Sequence, residues 1–299
     1  MPVNRRAPRA DQAAGPVARR VAKNVAKLAM QRDGAPLDSA EWEAYFRFAA
    51  QPRTQAMKRM LRALPAEPRC GFCGAPFAGF GARIVGPLGY RPSRKNPTVC
   101  AVCVESAPPG GTTGEVGVLF ADLRGFTSLS ETLSPERSSA MLRRFYAHAE
   151  KVLLPKAMID KLIGDEVMAL YIPVYLRPGA FDIVDDDRRY AATVMVEHAR
   201  ALLTRVGYGS ATGPEFELGI GLDFGEAFIG NIGDEFVRDF TAVGDVVNTA
   251  ARLQAHAAGG EILLSARLGG YLDEPPGELE HLSVKGKSEA VAAYRIAVR

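Results

Sequence analysis

Long apolar runs are missing from this 299-residue sequence. None approaches the roughly 20 residues that a membrane-spanning helix needs. The first residues also lack the apolar core of a secretory signal. A soluble, cytoplasmic protein is the expectation. No internal repeat is visible. Neither a Walker-type phosphate loop nor a Gly-x-Gly-x-x-Gly is present, so the common loop signatures for nucleotide phosphates are absent. Histidine is scarce. Of the four, His148 and His198 fall within expected helices and read as structural, while His256 and His281 have no partner visible in the sequence. Charge of one sign is scarce as well: the net charge is +3, and a composition 47% hydrophobic and 24% charged is that of an ordinary globular protein. The charge is uneven, however. Through Asp33, eight Lys or Arg stand against Asp11 and Asp33, so the rest is slightly acidic.

Cysteine is rare but arranged. The four occur as Cys70-Gly71-Phe72-Cys73 and Cys100-Ala101-Val102-Cys103, not spread as a disulfide framework. One Cys-x-x-Cys knuckle lets two thiolates grip an ion from a single turn, and two knuckles complete a tetrahedron. The segment between them is rich in Gly and Pro and can bury little core, so a metal would hold it together. Zn²⁺ is the favoured ion, and an iron–sulfur cluster uses the same ligand set. Four Cys leave no open position, so the site is structural or redox-sensing rather than hydrolytic.

Composition divides the chain. Residues 1–16 read as a disordered basic tail. Residues 17–66 read as helical, opening on a basic stripe (Arg19, Arg20, Lys23, Lys27) that is expected to dock on its own protein rather than on a membrane. A later stripe carries Trp42, Tyr45 and Phe46, read as packing. Residues 67–106 form the cysteine module, and the Pro- and Gly-rich stretch 107–114 reads as a linker.

From Glu115 the pattern changes. Val116 to Ala121 is a short apolar run ending in Asp122. Met158 to Ile163 and Val167 to Ile172 flank Gly164-Asp165, which reads as a hairpin turn. If the first strand lies beside this hairpin, Asp122 and Asp165 meet at one sheet edge. Two such carboxylates repel unless a cation sits between them. Ser134-Pro135-Glu136 starts a helix that stops before Pro155, and Asp185-Asp186-Asp187 opens another, closed by Gly207. Phe216 to Leu222 reads as a strand, Asp223-Phe224-Gly225-Glu226 as a turn, and Ala227 to Gly230 as the return. Gly244-Asp245 opens a helix on which Asn248 and Arg252 share a face. Lys285 and Lys287 flank a glycine before a last strand, Ala292 to Val298.

Three segments in this order resemble the catalytic domain of class III nucleotidyl cyclases: Phe120-Ala121-Asp122-Leu123-Arg124-Gly125-Phe126-Thr127, Lys161-Leu162-Ile163-Gly164-Asp165, and Phe240-Thr241 through Arg252-Leu253. The resemblance implies an α+β fold, a mainly antiparallel sheet with packed helices around a ferredoxin-like core, spanning 115–299. It implies a head-to-tail homodimer with active sites at the shared interface. There Asp122 and Asp165 bind two Mg²⁺ or Mn²⁺ ions, Asn248 orients the ribose, and Arg252 neutralises the α-phosphate in the transition state. Lys285, ahead of Lys287, holds the leaving phosphates. Backbone amides from Arg124 through Gly125, Phe126 and Thr127 suit the triphosphate. Lys161 and Thr241 choose the base, and this pair looks like that of an adenylyl cyclase acting on ATP, although Thr can donate or accept. Gly219 departs from the family, falling where some relatives place a phosphate-binding Arg. Competing readings are a guanylyl cyclase and a non-catalytic metal or redox sensor with a cyclase fold. Nucleic-acid binding is not expected, because few aromatics interleave with the basic residues.

Overall fold

The computed structural model describes residues 60–64, 68–70, 73–93, 99–104, 110–154, 156–176, 184–233, 238–283 and 290–298. The tail expected over 1–16 lies outside these residues, as do most of the helical region over 17–66, residues 105–109, and Lys285 with Lys287. No described helix is long and apolar enough to cross a membrane. The chain divides into two compact units, Met1–Gly110 with Asn231–Arg238, and Gly111–Gly230 with Asp239–Arg299.

In the first unit, α1 spans Gly79–Val85 and α2 spans Ala101–Val104. Each cysteine pair sits beside a short β-bridge, Arg69 to Pro76 and Pro92 to Cys100. The Cys70 amide donates to Ala75 O at 2.8 Å and the Gly74 amide to Cys70 O at 2.8 Å, closing the first knuckle. Among the described residues between the knuckles, the buried apolar ones are few, namely Ala75, Val85, Tyr90 and Val99.

The second unit is built on an eight-stranded sheet. In chain order its elements are β1 (Gly110–Leu123), α3 (Phe126–Thr132), α4 (Pro135–Leu153), β2 (Met158–Ile163), β3 (Glu166–Tyr171), α5 (Pro173–Leu176), α6 (Asp185–Val206) and β4 (Leu218–Gly233). There follow β5 (Arg238–Val243), α7 (Asp245–His256), β6 (Glu261–Ser265), α8 (Ala266–Gly269), β7 (Leu279–Leu282) and β8 (Val291–Ala297). The strands lie in the order β2-β3-β1-β4-β6-β8-β7, with β5 paired to β4. A βαββαβ succession with its strands in the order 2-3-1-4 is the ferredoxin-like arrangement. The pairs β1–β3, β2–β3, β6–β8 and β7–β8 are antiparallel, and β4–β6, joined through β5 and α7, is parallel.

Alternation along β1 decides what faces what. Leu119, Ala121 and Leu123 join Phe145, Ala149 and Leu153 of α4 and Met195, Ala199 and Leu202 of α6 in one core. Each Leu, Phe or Met among them contributes roughly 1.5–3 kcal/mol on burial. Asp122, out of phase with them, is turned to the other face. There α7 packs, with Leu253 and Ala257 against Leu263 and Ala293. That seat is close. A Cβ at Gly221 would fall 2.2 Å from Ala250 O and 2.2 Å from Gln254 N, so only glycine lets α7 approach β4.

Two expectations are corrected. The stretch read as a linker over 107–114 is strand from Gly110 onward, because Gly111 lies flat against the backbone of Ile229 and Gly230 on β4. The turn expected at Asp223-Phe224-Gly225-Glu226 does not exist, since β4 runs unbroken from Leu218 to Gly233. Asp223 is fully buried and bonded to Ser265 Oγ and Arg267 Nη2, each at 2.5 Å. A carboxylate with buried partners can occupy a strand interior that its residue type alone argues against.

Candidate active site and cysteine cluster

β1 and β3 are in register with Asp122 opposite Glu166. The turn at Gly164, with φ 60°, carries Asp165 back past the end of β1. There the Leu123 amide donates to Asp165 O at 3.2 Å. The Tyr146 hydroxyl of α4 donates to Gly164 O and pins the turn. The structure therefore brings Asp122 and Asp165 to one place and adds Glu166, which sequence reasoning missed. Burial pushes the Asp122 carboxyl above the ordinary range, Arg124 pulls it down and Asp165 adds to the rise. Glu166 is pushed up by burial, then by Asp122 and Asp165. Arg124 Nη2, 2.7 Å from Asp122 Oδ1, is the local counter-charge. Hard oxygen donors that repel one another fit a hard divalent cation such as Mg²⁺ or Mn²⁺, which relieves that repulsion.

Beside these carboxylates, Gly125 (φ 73°) caps α3. Its left-handed backbone turns the chain from strand into helix. The amides of Phe126 and Thr127 belong to the first turn, where no intrahelical acceptor exists. The Arg124 amide, counted with them from the sequence, is taken by Glu217 O at 2.7 Å. The Arg124 guanidinium passes over Gly219, where an added Cβ would meet Nε at 2.9 Å. The space for a side chain at 219 is thus filled by Arg124 and by Ala257 O.

Lys161 and Thr241, 80 positions apart, are in contact at 2.7 Å between Nζ and Oγ1. Asp160 joins them. Its Oδ2 accepts from Lys161 Nζ at 2.9 Å and from Thr241 Oγ1 at 2.6 Å. In a regular strand Asp160 and Lys161 would point to opposite faces. A register shift between Ile159 and Lys161 leaves Asp160 as the extra residue of a β-bulge. Such a bulge re-aims side chains, and here both reach the same hydroxyl. Lys161 Nζ also lies 3.0 Å from Asp239 Oδ2. Burial acts to lower the Lys161 pKa, but the Asp160 and Asp239 carboxylates overcome it and hold the ammonium above its ordinary range. An ammonium has three donors, and three oxygens engage them. Any further acceptor must displace one, and Asp239, 38% exposed against 1% for Asp160, is the one that solvent can take up.

On α7, Asn248 is exposed and Arg252 half-buried, while Val246, Thr249, Ala250, Leu253 and Gln254 are buried. Gln254 lies toward the Asp122 side chain and helps to pull its carboxyl down. At 100° per residue, Arg252 projects about 160° away from Gln254. Arg252 is therefore turned away from Asp122 within this chain.

In the first unit the four thiols lie within 4.8 Å of one another. Cys73 Sγ is 3.6 Å from Cys100 Sγ, and Cys70 Sγ is 4.0 Å from Cys103 Sγ. Zn–S bonds of about 2.3 Å give a tetrahedral edge of about 3.8 Å. Cys70 Sγ accepts from the Cys100 amide at 3.2 Å and the Cys73 amide at 3.5 Å, the usual way to hold a thiolate. All four are free of disulfides. Soft donors at this spacing fit one tetrahedral ion, whereas a multi-iron cluster would have to spread them.

Asp160, Asp239 and Glu166 were not singled out from the sequence, and Arg124 was read for its amide, not for its guanidinium. Each adjoins a residue that was singled out, and adjacency is the only signal it offers; the bulge and the β5 contact are tertiary.

A family model described as "Adenylate and Guanylate cyclase catalytic domain" matches residues 110–297. Adenylate cyclase of Anabaena cylindrica is 30% identical over 213 residues, covering 64% of this chain and 40% of that protein. The terminal-differentiation specific adenylate cyclase of Dictyostelium discoideum is 29% identical over 192 residues, 60% of this chain and 8% of that protein. The chain thus spans less than half the length of these relatives. Among solved structures, the guanylyl cyclase Cya2 superposes with a TM-score of 0.51 at 28% identity, over 64% of this chain and 95% of that one. The adenylyl cyclase CyaB from P. aeruginosa gives a TM-score of 0.51 at 27% identity, over 63% and 96%. With its ferredoxin-like core and its paired aspartates at one sheet edge, the chain belongs to the family of adenylate and guanylate cyclase catalytic domains.

Proposed function

We propose that the protein is an adenylate cyclase that converts ATP to 3′,5′-cyclic AMP and pyrophosphate, working as a homodimer. The observation that carries this is the contact of Lys161 with Thr241, the base-choosing pair, in a fold that also brings Asp122 beside Asp165. Asp122 and Asp165 would hold two divalent cations, which supply Lewis-acid charge to the ribose 3′-hydroxyl and the phosphates. The 3′-oxygen loses its proton and bonds the α-phosphorus, and the bond from that phosphorus to the bridging oxygen of pyrophosphate breaks. The first-turn amides of Phe126 and Thr127, with Gly125, receive triphosphate oxygens. Lys161 donates to a ring nitrogen of adenine.

The head-to-tail dimer is supported by α7. Thr241, Asn248 and Arg252 lie on one continuous segment, and Lys161 bonds Thr241, so these four serve one site. Arg252 faces away from Asp122 of its own chain. Asp122 and Asp165 of one protomer therefore meet the partner subunit's Asn248, which orients the ribose, and the partner subunit's Arg252, which meets charge building on the α-phosphate. Lys285 is assigned to the leaving phosphates by the resemblance alone.

Product analysis with ATP and with GTP, in Mg²⁺ and in Mn²⁺, tests this. The expected result is cyclic AMP from ATP, lost in Asp165→Ala with the dimer intact. Preference for GTP, or activity surviving that substitution, would refute it. In the N-terminal unit the four cysteines are assigned one structural Zn²⁺ ion. Cys70→Ser is expected to abolish about one equivalent of zinc per chain, read by elemental analysis, and unchanged zinc would refute the site.

A further inference from the structure

Alone, Thr241 is a poor judge between adenine and guanine. A hydroxyl both donates and accepts. It could take the 6-amino group of adenine or the 6-carbonyl of guanine. Its surroundings remove that freedom. Thr241 Oγ1 lies 2.6 Å from Asp160 Oδ2 and 2.7 Å from Lys161 Nζ. A carboxylate only accepts, and an ammonium only donates. The hydroxyl proton must therefore point to Asp160, and one lone pair must receive Lys161. One lone pair remains for a ligand.

We propose that Asp160 is a specificity-determining positioning residue. By accepting the hydroxyl proton of Thr241, it makes that oxygen an obligate acceptor, which takes the amino group of adenine and rejects the carbonyl of guanine. The inference rests on Lys161 and Thr241 being the base pocket.

Three observations support it. The bulge at Asp160 interrupts the β2–β3 register at this residue. The Asp160 side chain is 1% exposed, and burying a carboxylate is costly unless donors repay it. Both of its donors converge on Oδ2, while Oδ1 has no hydrogen-bond partner among the described residues. The carboxylate is thus oriented by Thr241 and Lys161 themselves.

Asp160→Asn is the test. Its amide can turn an N–H toward Thr241, which frees the hydroxyl to donate outward. The ATP-to-GTP ratio of kcat/KM is expected to fall roughly tenfold, the value of one polar contact. The change should appear in KM more than in kcat, and equally in the Kd ratio of 2′,3′-dideoxy-ATP and 2′,3′-dideoxy-GTP. In a Thr241→Val background the same substitution should move the ratio no further. An unchanged ratio in Asp160→Asn, or an equal shift in the Thr241→Val background, would overturn the inference while a wild type that favours ATP keeps the base pocket. A wild type without preference for ATP would overturn the base pocket and the inference with it. If Asp160→Asn does not fold, Thr241→Asn serves. Asp160 should accept its amide N–H and leave the carbonyl outward, keeping the ATP preference within about threefold. Loss of that preference would overturn the role of Asp160.

Discussion

Gly221→Ala separates activity from stability. The new methyl carbon would lie 2.2 Å from Ala250 O and from Gln254 N, where ordinary contact begins at 3.4 Å. Both obstacles are helix backbone, so no rotamer change relieves them. α7 must lift from β4 by about 1 Å. Overpacking of this kind costs about 1–3 kcal/mol, and for a unit of this size each kcal/mol lowers Tm by about 2–4 °C. The catalytic loss should be larger. A misplacement of about 1 Å costs on the order of 100-fold in rate, and α7 carries Asn248 and Arg252. The assay is kcat for cyclic AMP formation beside a thermal melt, with Gly117→Ala as the control. There the added carbon meets Met195 Sδ at 2.3 Å, the side chain of a residue far from α7, so stability should suffer without a comparable loss of rate. A folded Gly221→Ala protein with kcat within about threefold of wild type would refute the view that the β4 seat positions these side chains.

Burial, and then the charge of Lys156, lower the His198 pKa to about 4 from its usual 6.5. The unfolded chain therefore binds the proton more tightly, and the stability from neutral His198 is full above about pH 6.5 and lost as pH falls toward about 4. Discounted for partial exposure, that is about 1–3 kcal/mol. Urea midpoints for wild type and His198→Gln should converge between about pH 7 and pH 4.5, and a gap independent of pH would contradict this. Asp239→Asn weakens the most exposed competitor for Lys161, so KM for ATP should fall about two- to fivefold with kcat little changed. A raised KM would mean that Asp239 helps to bind the base.

Local chemistry was legible where the deciding partner is near in sequence. Ser134-Pro135 starts α4, with Ser134 Oγ accepting the Arg137 amide at 3.4 Å. Gly164 turns the β2–β3 hairpin, and Gly207, at φ 112°, closes α6. Asn248 and Arg252 share a face of α7 because four residues make about one turn. Asp223 misled because its partners Ser265 and Arg267 come more than 40 residues later, so a buried ion pair looked like turn chemistry. Gly111 misled because its close neighbour is β4. The bulge at Asp160 leaves no local trace, since nothing in Met158 to Ile163 marks an extra residue. The motif Lys161 was visible, and the carboxylate that restrains it was not.

The central position of β1 has a consequence in time. This strand comes first in its unit, yet it pairs with β3, Asp122 meeting Glu166 44 positions later, and lies against β4, which starts at Leu218. The β2–β3 hairpin needs only its own turn, which closes in about 1–10 μs. Contacts so far apart in sequence must overcome loop-closure entropy before they gain anything, and topologies dominated by them fold in milliseconds to seconds. Asp165 can reach its turn early, but Asp122 meets Glu166 only when β1 docks on a hairpin made after it. The carboxylate pair therefore follows the hairpin in folding, and on the ribosome it cannot be complete until that hairpin has emerged.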